Sequence, residues 1–430
     1  MSRCHQGIGW PILVVVISTR DGVGRLLRRD AAFRGLFAAR TISFLGDSLS
    51  LVALMLHVAD TAGQALAVAL LLLVGDLAPA LLSPLAGAVS DRWDRRKVMI
   101  VCELVQAGLL AAIALSLPPL PLLLVLVGAR AIAGHVFLPA SRAAVATLVR
   151  PGDQAAANSA LGLATNGGEA VGPLVAAALF PLVGVQGVLL VDAATFLLSA
   201  LLLVRLPQLP PSSPDGEPGH DGGGSLLGGA RAGLAYLWRE PALRIIGLGF
   251  CAVVAFNGID DVALVVLAKD TFDAGDSAAA ALLAAVGIGL FAGYALLARW
   301  SSQASMLWLL VAGFAVSSIG NLLTGLAWAV AAAFTLQTVR GLGIAAMDVA
   351  TNTLLPRLVP DAMLGRVFGN LYGAIGLAAG VSYVAGGLLL DATSAPATFV
   401  IAGAGGTLAT VAVAVTLPRA LRRAPRPRQP

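Results

Sequence analysis

Charge is scarce in this sequence. Only 12% of its 430 residues are Asp, Glu, Lys or Arg, about half the share of an average soluble domain. Hydrophobic residues make up 58%, and the mean hydropathy is +0.88. A single soluble core of this size is excluded. Cysteine is rare too: Cys4, Cys102 and Cys251 lie far apart and fit neither a disulfide framework nor a metal-ligand spacing. The four histidines, His5, His57, His135 and His220, form no cluster. There is no paired His with an acid, no Cys nucleophile with a base, and no phosphate-cradling loop after a strand, so the chain does not read as an enzyme. Without a Gly-x-x-x-x-Gly-Lys-Ser/Thr loop it does not drive transport with ATP. No metal or cofactor is expected. The pI of 9.6 suggests nucleic acid at first sight, but the basic residues follow membrane topology, so no nucleic-acid partner is expected.

Long apolar runs are abundant. Breaks at charges, Pro and Gly leave twelve candidate spans at roughly 35–58, 66–89, 98–117, 120–147, 157–181, 184–204, 244–267, 278–299, 304–325, 328–354, 366–390 and 396–417. Each is long enough to cross a hydrocarbon core of about 30 Å as a helix. The expected fold is an all-α polytopic membrane protein. Residues 1–30 form an N-terminal extension and 31–205 a first six-helix bundle. Residues 206–240 form a linker, 241–418 a second bundle, and 419–430 a basic tail. The linker opens with "PQLPPSSPDGEPGHDGGGS", a flexible composition, and continues as a short amphipathic helix. In the extension, "GIGWPILVVVIS" is too short to span and is followed by no cleavage signal.

Of the 28 Lys and Arg residues, all but Arg130, Arg340 and Lys269 sit in the N-terminal segment, the even-to-odd loops, the tail, or the span ends beside them. By the positive-inside rule both termini and the linker face the cytoplasm, which places the protein in the cell membrane.

An internal repeat divides the spans. "LVALMLHVAD" (51–60) matches "DVALVVLAKD" (261–270) at an offset of 210, and Arg130 returns as Arg340 at the same offset. Six spans followed by six in the same orientation suit a transporter whose halves rock around a site near the midplane.

Gly87-x-x-x-Asp91-Arg92-x-x-Arg95-Arg96 resembles the cytoplasmic loop signature of the major facilitator superfamily, with Asp94 where glycine is usual. Leu126-x-x-x-Arg130-x-x-x-Gly134 resembles the motif of proton-coupled members, and Gly168-x-x-x-Gly172-Pro173 the antiporter motif, though Ala176 and Ala177 replace its final glycines. The resemblance covers roughly residues 30–418 and extends to the drug:proton antiporter branch, including multidrug and macrolide efflux proteins. It implies twelve helices in two bundles, with spans one, four, seven and ten lining a central cavity.

Physical chemistry gives each motif a task. Gly87 lets two helix ends approach, and Asp91 can meet a helix N-terminus or Arg95. Arg92 and Arg96 can engage helix C-termini and anionic headgroups. Together they form a latch on one conformation. Gly168 and Gly172 permit close packing, and Pro173 bends span five. Ionisable side chains inside spans are costly and usually functional. Asp47, Arg130, Asp260, Asp261 and Arg340 fall on the cavity-lining spans. Asp47 and Arg130 are expected to meet, with Asp47 the first candidate proton carrier and the Asp260/Asp261 pair the second. Asp192 and Glu103 lie near span ends and are expected only to cap or pair. His135 could face the cavity, though helix packing is the commoner role. The partners are then a small-molecule substrate, protons and the bilayer, and the protein acts as a monomer. The expected function is proton-coupled export of a hydrophobic or amphipathic compound, the alternative being proton-coupled import of a small nutrient by the same fold.

Overall fold

The computed structural model describes residues 24–76, 93–150, 153–209, 226–300 and 305–423. Gly87, Asp91, Arg92, residues 1–23, the Pro/Gly-rich part of the linker and the end of the tail lie outside them. All regular elements among the described residues are helices. Ten are long and apolar enough to cross a membrane.

Helix α1, Ala31–Ala62, starts where the Asp30 carboxylate accepts from Phe33 N at 2.9 Å. It ends at Gly63, whose φ of 60° is left-handed. Helix α2, Ala65–Asp76, covers the first part of span two, and 77–89 lie outside the described residues. Helices α3 (Arg95–Ser116) and α4 (Leu120–Leu148) flank the expected proline turn.

The next helical run, Gln154–Val204, has 51 residues, about 75 Å if straight and too long for one crossing. Gly184, at φ 62° and ψ −174°, occupies a region essentially open only to glycine. It divides the run into α5 (154–183) and α6 (185–204), as the two expected spans require. The direction reverses there. Gly168 and Gly172 of α5 lie against Phe44 and Ser48 of α1, so these two helices run the same way. On α6, Asp192 meets Gly46, while Leu206 just beyond the helix meets Gly35.

Helix α7, Leu226–Arg239, is the amphipathic segment. Span seven departs from the single helix expected over 244–267. It is α8 (Pro241–Asn257), then α9 (Asp260–Val266), then a π-helical turn at Leu267–Thr271. Gly258 is a weak helix former, and Asp260 and Asp261 favour the first turn of a new helix by their negative charge. The chain ends with α10 (Asp276–Trp300), α11 (Met306–Thr324), α12 (Val330–Leu358), α13 (Asp361–Ala392) and α14 (Ala395–Arg423).

Three buried apolar clusters set the relation of the halves. One runs from Leu49–Val58 and Ala65–Leu72 in the first half to Val262–Ala268 and Ala279–Leu283 in the second. The other two, around Phe33 and Val145 and around Phe314 and Leu355, each belong to one half and lie toward the end that carries the termini. The halves are therefore fused at the far end and separate at the terminal end. Polar contacts across the halves agree. Asp391 of α13 accepts from Ala65 N and Leu66 N at 2.6 and 3.1 Å, closing the N-terminus of α2. Lys269 Nζ lies 2.5 Å from Asp60 and 2.7 Å from Asp276.

Candidate functional site

On α1, Arg40, Ser43, Asp47 and Ser50 recur every three or four residues and share one helix face. Arg130 on α4 reaches that face. Its Nη1 lies 2.5 Å from Asp47 Oδ1, 3.5 Å from Ser50 Oγ and 3.9 Å from Asp192 Oδ2. The expected meeting of Asp47 with Arg130 is thus present in the geometry.

Asp192 and Glu103 do not sit at span ends as expected. Both are 0% exposed in the core of the first half. Glu103 accepts from Ser43 Oγ at 3.3 Å and from Ser199 Oγ at 2.9 Å. Asp192 Oδ1 accepts from Thr195 Oγ1 at 2.9 Å, while its Oδ2 makes no hydrogen bond. The nearby Ser50 hydroxyl donates to the Asp47 carbonyl at 3.1 Å. Sequence position misjudged these acids because α3 and α6 begin about two turns before them. Hydroxyls on the same helix as Asp192, Thr195 for Asp192 itself and Ser199 for Glu103, were the available signal.

The second half repeats the arrangement with a change. Arg340 Nη1 lies 2.5 Å from Asp260 Oδ2. Asp261, the next residue of α9, projects about 100° around the helix from Asp260. Behind Arg340 runs a buried amide chain. Gln337 Oε1 accepts from Arg340 at 3.3 Å, Gln337 Nε2 donates to Asn321 Oδ1 at 3.2 Å, and Asn321 Nδ2 donates to Asn257 Oδ1 at 2.9 Å. The chain ends beside the break in span seven.

A cavity of about 610 Å³ lies against the first-half site, its lining including Arg40, Asp47, Gln106, Arg130, His135 and Tyr372. His135 thus faces the cavity. Arg40 donates to Ser141 Oγ at 2.9 Å and stacks over Phe44 at 4.9 Å. A second, mostly apolar cavity of about 560 Å³ adjoins it between α2 and α13, and Asp76, Tyr372 and Gly373 line both. Among the described residues no His, Cys, Asp and Glu side chains group to hold a metal.

The remaining motif residues have structural positions of their own. Asp94, the departure from the usual glycine, caps α3: its Oδ1 accepts from Lys97 N at 3.2 Å and its Oδ2 from Leu209 N at 3.2 Å. Arg95 is buried and donates to Thr147 Oγ1 at 3.0 Å, while Arg96 donates to the Val204 carbonyl. These arginines tie the start of α3 to the ends of α4 and α6. Gly168 and Gly172 bring α5 against α1, with Pro173 buried beside them.

The family model for the Major Facilitator Superfamily matches residues 36–307 and again 261–430. The chain is 26% identical over 387 residues to an uncharacterized MFS-type transporter, YfiS, of Bacillus subtilis (strain 168), covering 88% of this chain and 91% of that protein. It is 27% identical over 406 residues to the multidrug efflux pump Tap of Mycolicibacterium fortuitum, covering 89% and 95%. Among solved structures, the nucleoside transporter NupG superposes with a TM-score of 0.70 at 14% identity, over 90% of this chain and 98% of that one. A bacterial homolog of the human lysosomal transporter Spinster, inward-facing and unoccupied, gives 0.67 at 18%, over 90% and 94%. At such identities these structures speak for the fold alone.

Proposed function

Because the chain belongs to the major facilitator superfamily and is therefore a multi-pass membrane transporter, we propose that it exports a hydrophobic or amphipathic small molecule by proton antiport. It works by alternating access, as a monomer in the cell membrane with both termini cytoplasmic. The observation that carries this reading is the grip of Arg130 on Asp47 at 2.5 Å beside a cavity, with Asp192 waiting at 3.9 Å. A guanidinium between two carboxylates is a switch. A proton arriving on Asp47 removes one of the two charges that hold Arg130, and the guanidinium is drawn toward Asp192. Substrate leaving and proton entering then compete for one site, which is what exchange requires. The similarity to a pump described as a multidrug efflux protein and the Gly168-Gly172-Pro173 motif favour export over uptake.

With the termini in the cytoplasm, the separated ends of the halves face inward and the Lys269 cluster closes the outer side. Arg95 and Arg96, with Gly87, Asp91 and Arg92, serve as the cytoplasmic latch. Asp260 and Arg340 are the second coupling pair, supported by the amide chain that links them to the break in span seven.

The test is the purified chain in proteoliposomes with an imposed pH gradient and a panel of drug-like dyes. Substrate should move uphill against the direction of proton flow. Movement in the same direction as the protons would overturn export. Tags at the N-terminus, within 212–224 and after Pro430 should all report one side, and a tag in 272–276 the other.

A further inference from the structure

Helices α2 and α13 close on one another at one end and part at the other. Gly387 packs against Leu66 and Ala69, and Gly380 against Leu73. Farther along, a side chain added at Gly75, Gly376 or Gly373 would meet nothing within 4 Å. The wedge so formed is the second cavity. Its walls are apolar, with Leu73, Leu377, Val381 and Val384 among them, and Asp76 stands at the mouth it shares with the first cavity. Among the described residues Asp76 accepts from Tyr383 Oη at 3.2 Å, and no Lys, Arg or His nitrogen lies within 4 Å of it. The cations of the first cavity are committed elsewhere, Arg130 to Asp47 and Arg40 to Ser141.

We propose that this wedge binds the cationic end of an amphipathic molecule, with Asp76 as its counter-ion and the apolar walls holding its hydrophobic body. The inference rests on the transporter reading given above and adds a site and a charge preference to it. A carboxylate within the spans that has no cation beside it among the described residues is costly, and a ligand cation relieves that cost while the ligand's apolar part covers the walls. The ring of Tyr372, which lines both cavities, adds cation–π attraction. Arg40 and Arg130 in the deeper cavity repel a cation, so its charge stays at the junction.

The probes are tetraphenylphosphonium and tetraphenylborate, ions of like shape and opposite charge. Equilibrium binding of the labelled cation is measured on the purified full chain in zwitterionic nanodiscs, without a gradient. The wild type should bind the cation and not be displaced by the anion. Asp76→Asn should weaken cation binding about tenfold, and Asp76→Glu should restore most of it. Leu377→Trp, which fills the wedge without changing charge, should also weaken it. Cation binding by Asp76→Asn within about twofold of wild type, or equal displacement by the anion, would overturn the site. Such a result leaves export standing. A failure of uphill efflux in the wild type, with binding intact, undoes the export reading and leaves the site in place.

Discussion

Arg340 stands 210 residues after Arg130 and repeats its contact from a shifted position. Each guanidinium lies 2.5 Å from a carboxylate on the first span of its own half, Asp47 in one and Asp260 in the other. The residue equivalent to Asp47 is Asn257, which feeds the amide chain, and the acid has moved one turn along to the start of α9. The first half sets two carboxyls about one guanidinium, Asp47 and Asp192, while the second sets Asp260 beside Arg340 with a row of amides behind it.

Asp47→Asn should therefore abolish gradient-driven efflux while leaving the chain folded, since it removes charge and almost no volume. Asp260→Asn should reduce efflux less, because Arg340 is also held by Gln337, whereas Asp47 shares Arg130 with a second carboxylate, Asp192. Arg130→Ala should instead fail on stability, by about 3 kcal/mol, since it strands the buried Asp192 and the partly exposed Asp47 without their cation. Transport in vesicles and melting in detergent separate the two effects. Uphill efflux retained by both carboxylate variants would end the coupling scheme.

The loop before α3 separates folding from switching. Asp94→Ala removes the cap on α3 and should cost about 1 kcal/mol, read as a lower melting temperature, with transport per folded molecule kept. Asp91→Asn should do the reverse, leaving stability near wild type and slowing transport severely. Ser90→Ala should be mild. Wild-type transport by Asp91→Asn would reduce the loop to a marker of topology.

Much of this was legible in the sequence because a bilayer imposes strong rules. Apolar length marked the spans, and a shared offset the two halves. The Arg130–Asp47 contact followed from the cost of leaving either charge alone. The place of Glu103 and Asp192 did not, because α3 and α6 are apolar on most sides and carry no face that marks the interior. Nor did the choice of Asp260 over Asp261 for Arg340, which depends on where α9 restarts after Gly258. Asp94 was seen only as a departure from a motif, since its capping role needs Leu209, which a linear reading places far away.

Close packing of α5 on α1 gives a test by compensation. A Cβ at Gly172 would collide with the Cβ of Ser48, and overpacking of this kind costs about 1–3 kcal/mol. Gly172→Ala should lower both stability and transport, and Ser48→Gly in the same chain should recover much of each. If the double variant melts no higher than Gly172→Ala, the contact is not what the glycine protects.

On the proposed topology Lys269 is the outer counterpart of the proposed latch. It bridges Asp60 of the first half and Asp276 of the second, at 2.5 and 2.7 Å, and the π-helical turn Leu267–Thr271 carries it there. Close by, Ser277 Oγ donates to the Ala177 carbonyl at 3.1 Å across the same junction. Partly exposed ion pairs are each worth about 1 kcal/mol or less, which is enough to bias two states of similar energy about fivefold. Lys269→Gln leaves the two aspartates facing one another without a cation, so the outer side should open more often. With Cys4, Cys102 and Cys251 replaced by Ser, cysteines at 177 and 277 should cross-link readily in the Lys269 protein and several-fold more slowly in Lys269→Gln. Cross-linking at equal rates in the two backgrounds would mean that the apolar cluster around Val262 and Ala279 holds the outer side shut without help from the ion pairs.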